Sequence, residues 1–175
     1  LTAKQTETIR LLAKKYRITA EEPLSANAMT LLDRRIDNIP ASLALAQAAN
    51  ESGWGTARFA VKGNNYFGLW CWSSDCGLVP NERKEGASHE VSTFKTPVDS
   101  VKNYMLTLNS HPAYKKLRDL RLEARNNHTP LAGAGLAGGL LSYSERGEAY
   151  IEELRAMIRI NNLSQFDQAN LDPAP

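Results

Sequence analysis

The stretch ALAQAANESGWGTARFAVKGNNYFGLW, residues 44–70, decides the fold that we expect for this chain of 175 residues. Its first part is made of small and apolar residues, which is typical of a helix buried on most of its faces. Glu51 is the single acidic residue of the stretch and falls where this helix is expected to end, before Gly53 and Gly55. Burial and the negative end of the helix dipole both disfavour a carboxylate there and should raise its pKa. A carboxyl group that keeps its proton near neutral pH can act as a general acid.

Helical patterns flank this stretch on both sides. Upstream, the periodicity predicts helices over about residues 2–16 and 25–36, and Pro40 suits the first turn of the helix that carries Glu51. Downstream, helical signals return in four segments, which begin at Thr96, Pro112, Pro130 and Gly147. The third of these, LAGAGLAGGLL, predicts either close helix packing or a flexible loop.

The helical period is lost between these two regions. GLVP and HEVSTF are short β-like runs, and KEGAS between them is typical of a turn. The order of elements predicts an α+β, mainly α fold with a small β-hairpin lobe at about residues 69–95. We expect an N-terminal helical extension over 1–38 that packs on the core, a main domain over 39–162, and a tail over 163–175 that runs along the surface or frays.

The overall composition limits the possible classes of protein. The net charge is +2 and the pI about 8.6, which is too weakly basic to indicate nucleic-acid binding. No apolar run approaches the ~18–20 residues that a membrane helix needs, and we expect a monomer. The chain begins with Leu1 rather than Met, so we expect that an upstream segment has been removed.

The two cysteines, Cys71 and Cys76, lie in CWSSDC. They are either two reduced, partly buried thiols or a disulfide, which we favour because the pair is close and flanked by turn residues. Such a bridge would contribute about 2 kcal/mol and indicate an oxidising compartment. We expect no metal site, because no CxxC or HxxxH spacing occurs and the histidines are scattered at His89, His111 and His128.

Several aromatic residues follow Glu51 closely in the sequence. Aromatics make up 7% of the chain, yet this short region contains Tyr66, Phe67, Trp70 and Trp72. Such side chains suit stacking on sugar rings, although packing in the core or in the lobe explains two or three of them equally well. Glu51 itself could be an exposed residue at an ordinary glycine-capped helix end, but the apolar helix before it argues against exposure.

The segment AQAANESGWGTARFA, followed by GNNYFGLW, resembles glycoside hydrolase family 73. VDSVKNYM…HPAY and YSERGEAYIEEL extend the likeness over roughly residues 40–160, and it is closer to the Bax-type branch of bacterial proteins. The resemblance implies a lysozyme-like helical domain that acts as an endo-β-N-acetylglucosaminidase. It implies hydrolysis of the GlcNAc–MurNAc β-1,4 bond in peptidoglycan glycan strands, no cofactor, and a place in the periplasm or cell envelope.

The resemblance also implies roles for individual residues. Glu51 would be the catalytic acid, and Tyr143 would line the catalytic centre, although YSERGEAY is one residue longer than the family's commoner Tyr-Ala-Thr-Asp-Pro-x-Tyr spacing. For Tyr150 we favour simple packing of the last helix. The substrate contacts that we expect are Trp54, Asn65, Tyr66, Phe67, Gly68 and Trp70.

A second catalytic carboxylate is expected in the β-lobe, because glycosidases usually use a pair. We favour Glu82, which stands four residues before Gly86, where the family has an acid ahead of the hairpin turn. Glu90 and Glu85 are alternatives, and Asp75 is an outside candidate. In the absence of a protein carboxylate, the N-acetyl oxygen of the substrate could act as the nucleophile.

Two other functions compete with hydrolysis. A lytic transglycosylase on the same substrate needs a single glutamic acid, and the acids of the hairpin argue weakly against it. A non-catalytic glycan-binding module would keep the aromatic groove without the chemistry, and Glu51 argues against it.

Overall fold

The computed structural model describes residues 1–19, 24–81, 83 and 86–169, and these contain eight α-helices and one small sheet. The α+β, mainly α class is therefore confirmed. No helix in the described ranges is long and apolar enough to cross a membrane. The helices are α1 (Ala3–Lys15), α2 (Ala26–Arg35), α3 (Ala41–Ser52), α4 (Arg58–Gly63), α5 (Pro97–Ser110), α6 (Lys115–Asn126), α7 (Gly133–Leu136) and α8 (Glu148–Ile160), and short 3-10 helices span Pro112–Tyr114, Ala137–Gly139 and Leu163–Phe166.

Helix α3 is the element around which the main core is built. It packs against α7, α8 and the 3-10 helix at Leu163–Phe166. Pro40 is the N-cap of α3 rather than a residue of its first turn, where we had expected it. Gly53 ends the helix in the left-handed conformation, with φ of 54°. Glycine adopts this conformation without the steric cost that a Cβ imposes, so the helix stops directly after Glu51 and Ser52.

The glycine-rich segment after Pro130 is closely packed rather than a loose loop. A Cβ on Gly133 would lie 2.1 Å from the Ser42 Oγ, and one on Gly139 would lie 2.3 Å from the Leu117 Cα. Helix α7 and the following 3-10 helix therefore approach α3 and α6 at backbone distance. This close approach explains why small residues are needed there.

The β-lobe is a three-stranded antiparallel sheet with the order β1-β3-β2. Its strands are β1 (Trp70–Cys71), β2 (Gly77–Leu78) and β3 (Glu90–Ser92), and Trp70 pairs with Val91 while Gly77 pairs with Ser92. A disulfide joins Cys71 to Cys76 and closes the loop between β1 and β2. Of the predicted hairpin acids, Glu82 and Glu85 lie outside the described residues.

Helices α1 and α2 form a small apolar cluster of their own, made of Ala13, Ile18, Ala28 and Leu32. The helical spacing of Met29, Leu32 and Ile36 predicts one apolar stripe on α2, but only Leu32 is buried, and Met29 and Ile36 are 40% and 43% exposed. In place of an apolar seam, ionic contacts join α2 and the loop after it to α6. They are the pairs Arg34–Asp119, Arg121–Asp37 and Arg125–Asp37.

As far as residue 169, the chain after α8 runs along the surface, which is the first of the two alternatives that we expected. Leu163 packs against the main core. Asp167 accepts hydrogen bonds from the Ser42 amide and the Ser42 hydroxyl, both at 2.8 Å, so it anchors this segment at the start of α3. Residues 170–175 lie outside the described ranges.

We expect Gly139→Ala to destabilise the protein by about 1–3 kcal/mol, because the added methyl group overlaps the backbone of Leu117. Gly135→Ala is the matched control, since a Cβ at Gly135 meets nothing within 4 Å. The control should be neutral or slightly stabilising, because alanine favours the helix. Urea unfolding curves of both variants would measure this. Equal stability of Gly139→Ala and the wild type would contradict the close packing.

Candidate active site

Glu51 lies in the last turn of α3, and a chain of hydrogen bonds holds its carboxyl group. The Tyr150 hydroxyl donates to Glu51 Oε1 at 2.7 Å. Gln47 Nε2 donates to that same hydroxyl at 3.0 Å, and the Tyr104 hydroxyl donates to Gln47 Oε1 at 2.7 Å. The three donors point in one direction along the chain, so each hydroxyl and amide is satisfied inside the core.

The sequence brings these four side chains together from three helices. Gln47 and Glu51 are four residues apart, which places them on one face of α3. Tyr104 comes from α5 and Tyr150 from α8. Gln47, Tyr104 and Tyr150 are fully or almost fully buried, whereas Glu51 is only half-buried. The series of hydrogen bonds therefore runs from the interior of the core to the Glu51 carboxyl group at the edge of the core.

Burial is the main influence on Glu51 and raises the pKa of its carboxyl group. The hydrogen bond from Tyr150 opposes this rise, because it favours the carboxylate. Two charged groups of α8 and the turn before it act in opposite directions: Glu153 raises the pKa and Arg146 lowers it. The net direction is upward, so Glu51 keeps its proton to a higher pH than an exposed glutamic acid.

Gly68 lets the loop after Tyr66 pass close to Glu51. Its φ is +63°, and a Cβ there would lie 3.3 Å from Glu51 Oε2. Either property alone favours glycine, and a larger residue would press on the carboxyl group. Because Gly68 has no side chain, the space next to Glu51 Oε2 is not filled by the loop.

Asn65 shapes this loop and does not present its side chain to a substrate, which corrects the expected role. It is only 2% exposed. Its Oδ1 accepts from the amides of Phe67 and Leu69 at 3.3 and 3.0 Å. Its Nδ2 donates to the carbonyls of Leu69 and Ser92, both at 2.8 Å. With these groups satisfied by backbone, Asn65 fixes the path of residues 65–69 and ties it to β3.

The tyrosines differ from the expectation in their contacts. The Tyr143 hydroxyl donates to the Phe67 carbonyl at 2.7 Å, so it holds the loop rather than Glu51. Tyr150 packs in the main core, as expected, and its hydroxyl in addition contacts Glu51 directly. Tyr143 stacks on Tyr150 and lies next to Tyr114, with ring centroids 5.8 Å apart in both pairs.

A cleft of about 470 Å³ opens beside Gly68. Residues of the β-lobe and the loop before it, of α5, of the 3-10 helix Pro112–Tyr114 and of the chain after α1 contribute to its walls. The lining consists of Arg17, Phe67, Gly68, Leu69, Trp70, Trp72, Asn103, Thr107, His111, Tyr114 and Tyr143. Trp70 and Trp72 are exposed. The Trp70 ring packs on His89 with ring centroids 4.2 Å apart, so its other face and the Trp72 ring are the surfaces available for stacking.

Three of the expected substrate contacts lie outside this lining: Trp54, Tyr66 and the buried Asn65. Trp54 is exposed directly after the end of α3. Tyr66 lies against Gly55, where a Cβ would be 3.6 Å from the Tyr66 ring. Phe67 does line the cleft, but it is buried and stacks on Tyr104 with ring centroids 4.0 Å apart. Its side chain therefore supports the loop more than it presents a surface.

Glu90 is buried and both of its carboxylate oxygens are engaged by backbone. Oε1 accepts from the Asp75 amide at 3.3 Å and Oε2 accepts from the Gly77 amide at 2.8 Å. Glu90 thereby stabilises the loop that the disulfide closes, while Asp75 is exposed on that loop. Cys71, Cys76 and Glu90 are the one described group with metal-like spacing, but both sulfur atoms are in the disulfide.

Several residues of the site were missed at the level of sequence. Arg146 and Glu153 form an ion pair of 2.6 Å near Glu51, and no spacing rule links them to α3. Tyr114 and Tyr104 belong to runs that we used only for resemblance. Gln47 carried a usable signal, because it is the one polar residue within LALAQAA and stands four residues before Glu51.

Comparisons with known proteins agree with this arrangement. Residues 27–163 match the glucosaminidase family, described as mannosyl-glycoprotein endo-beta-N-acetylglucosaminidase. The chain is 33% identical over 150 residues to Protein bax of Escherichia coli (strain K12), which covers 86% of this chain and 53% of that protein. The chain thus spans about half the length of this relative, and no solved structure matches it. Because the family match extends from α2 to the end of α8 and includes Glu51, the chain belongs to the glucosaminidase family.

Proposed function

We propose that this protein is an endo-β-N-acetylglucosaminidase that hydrolyses the GlcNAc–MurNAc β-1,4 bond of peptidoglycan, with Glu51 as the general acid. The observation that carries the proposal is the Glu51 carboxyl group, half-buried, hydrogen-bonded by Tyr150 and adjacent to Gly68 at the cleft. Family membership supports glycan cleavage, and the exposed rings of Trp70 and Trp72 suit stacking on sugar rings.

The two oxygens of Glu51 have different surroundings, which suits proton donation. Oε1 accepts the Tyr150 hydroxyl, whereas Oε2 faces Gly68 and is the oxygen we propose to carry the proton. Burial favours the protonated acid before the reaction. When the proton passes to the glycosidic oxygen and the bond to the anomeric carbon breaks, Tyr150 stabilises the carboxylate that remains.

We propose Glu82 as the second carboxylate. The hydrogen bonds of Glu90 to the amides of Asp75 and Gly77 support a structural role for Glu90. Among the described residues that line the cleft there is no carboxylate, so the alternative in which the N-acetyl oxygen of the substrate acts as nucleophile is kept as an outcome of the test.

The disulfide between Cys71 and Cys76 supports an oxidising compartment. We propose that the protein acts as a monomer in the periplasm or cell envelope, where glycan strands of peptidoglycan are available.

We expect Glu51→Gln to lower the rate of glycan cleavage by at least ~10³-fold, because the amide cannot donate the proton to the leaving oxygen in the way that the acid does. Reducing-end analysis of digested peptidoglycan would measure the loss and should show new GlcNAc ends with the wild type. The matched control is Glu145→Gln, which alters an exposed acid. Equal rates for Glu51→Gln and the wild type would sink the assignment, and anhydro-muramic products would indicate a transglycosylase.

The activity should fall as pH rises through the raised pKa of Glu51, because the acid is functional only when protonated. Tyr150→Phe removes a hydrogen bond that favours the carboxylate, so it should move this alkaline limb to higher pH. Tyr143→Phe is the matched control and should leave the alkaline limb in place, since the Tyr143 hydroxyl donates to the Phe67 carbonyl and not to Glu51. The pH dependence of kcat would be compared. A limb that stays in place or moves to lower pH in Tyr150→Phe would contradict the account.

We expect Glu82→Gln and Glu90→Gln to have different effects. Glu82→Gln should lower kcat and leave the unfolding free energy unchanged. Glu90→Gln should lower the unfolding free energy by about 1–3 kcal/mol, because an amide side chain leaves the amide of Asp75 or Gly77 without an acceptor.

Steady-state kinetics and urea unfolding of both variants would distinguish these effects. Loss of kcat in Glu90→Gln at unchanged stability would make Glu90 the second carboxylate. Unchanged kcat in both variants would exclude Glu82 and Glu90, and the same measurement on Glu85→Gln and Asp75→Asn would then separate those two acids from the N-acetyl oxygen as the nucleophile.

A further inference from the structure

Arg17 ends α1 in a conformation that usually calls for glycine. Its φ is 59°, its amide donates to the Lys14 carbonyl at 3.1 Å, and the Ile18 amide donates to the Ala13 carbonyl at 2.8 Å. This is the Schellman arrangement, in which the residue at the position of Arg17 is most often glycine and sometimes asparagine. The contact between Ile18 and Ala13 that accompanies it belongs to the cluster of α1 and α2.

Arginine is an unfavourable choice at this position. The left-handed region is unfavourable for a non-glycine residue, because its Cβ approaches the following carbonyl. The Arg17 side chain is exposed, so burial does not compensate for that cost. Fold stability alone would therefore favour glycine, and an observed outlier of this kind points to a use for the side chain.

The side chain of Arg17 lines the same cleft as Gly68 and Tyr143. His111 and Tyr114, which also line the cleft, respond to different charges. Burial, followed by the charge of Glu51, raises the pKa of Tyr114, and the rings of Tyr114 and His111 are 5.8 Å apart. Burial, followed by the charges of Arg17 and Arg118, lowers the pKa of His111.

Arg17 is the one arginine or lysine among the described residues that line the cleft. Arg118 also acts on His111 but is not available to a ligand, because it is buried and donates to the carbonyls of Leu108 and His111. The described residues that line the cleft include no acidic side chain to neutralise Arg17. Arg17 also precedes residues 27–163, which match the family, so it is supplied by the extension.

We propose that Arg17 forms a cationic subsite that binds a carboxylate of the glycan substrate in the cleft that opens beside Gly68. The identity of the substrate rests on the proposed function. Muramic acid carries a lactyl group whose carboxyl group is either free or linked to a peptide stem, and the stem itself ends in carboxylates. A guanidinium binds either kind of carboxylate through two parallel hydrogen bonds.

The test measures binding without turnover, in the Glu51→Gln background. Three glycan fragments would be titrated by calorimetry: fragments with peptide stems, the same fragments after an amidase has removed the stems, and the stem-free fragments with carboxylates converted to amides. Arg17→Gly is the main variant and Arg17→Asn the second, because both residues tolerate the left-handed conformation. Lys14→Gln is the matched control, since it removes an equal charge from an exposed position on α1 that does not line the cleft.

Arg17→Gly should weaken the binding of carboxylate-bearing fragments by about five- to tenfold, as expected for a charged hydrogen bond at a partly exposed site, and leave the amidated fragments unaffected. Its Tm should equal or exceed that of the parent protein. Arg17→Asn should behave alike, and Lys14→Gln should bind all fragments as the parent does. Loss confined to stem-bearing fragments assigns the carboxylate to the stem, whereas loss that persists without stems assigns it to the lactyl group.

The proposal is overturned when Arg17→Gly and Arg17→Asn bind every fragment as the parent does, or lose affinity for the amidated fragments to the same extent. This result is separate from failure of the proposed function. A protein with Glu51 intact that releases no reducing ends, but whose binding of carboxylates still depends on Arg17, would refute the hydrolase and retain the subsite.

Discussion

The hydrogen bond from the Tyr150 hydroxyl to Glu51 is the contact on which the arrangement of the site depends. It closes a chain through Gln47 and Tyr104, and the chain joins α3, α5 and α8 inside an otherwise apolar core. A buried amide or hydroxyl without a partner costs free energy, so these three helices are held in the one register that satisfies all the groups. The same register sets the direction in which the carboxyl group points.

The ionisation of Glu51 follows from two opposed effects in this arrangement. Burial raises its pKa and the Tyr150 hydroxyl opposes the rise, with burial the larger influence. An uncharged acid at rest and a stabilised carboxylate after proton transfer are both what a general acid requires. Because the folded state disfavours the charged form, Glu51 lowers the free energy of unfolding at pH values above its raised pKa. This loss disappears as the pH falls below the ordinary pKa of glutamic acid, where Glu51 is protonated in both the folded and the unfolded state. A site that favours chemistry over stability is common in enzymes.

Much of the fold could be predicted, because local signals and global packing agree. The apolar run before Glu51 predicted a buried helix, and Thr96 before Pro97 predicted the start of α5, where its side chain caps the helix. The hairpin lobe followed from the loss of helical period. The sequence left open whether the tail runs along the surface or frays, because its anchor is a contact between Asp167 and Ser42, which are far apart in sequence and carry no local signal.

The site could be predicted less completely than the fold. Glu51 stood out because it is an acid at the end of an apolar helix, and this signal is local. Which tyrosine reaches Glu51 depends on how α8 packs on α3, and the side chain of Asn65 is turned inward by amides that the sequence does not reveal as partners. In the sequence, Glu90 cannot be distinguished from any other acid on a strand. Its structural role follows from the loop that Cys71 and Cys76 close, whose amides donate to it.

The most direct test of the central claim is the ionisation of Glu51 in the free protein. The carboxyl carbon of Glu51 would be followed by ¹³C NMR from low to neutral pH and assigned by comparison with Glu51→Gln. The account predicts a midpoint clearly above the ~4.3 of an exposed glutamic acid, because burial outweighs the hydrogen bond from Tyr150. A midpoint at or below that value would show that Glu51 is an ordinary carboxylate at neutral pH and would contradict its role as the proton donor.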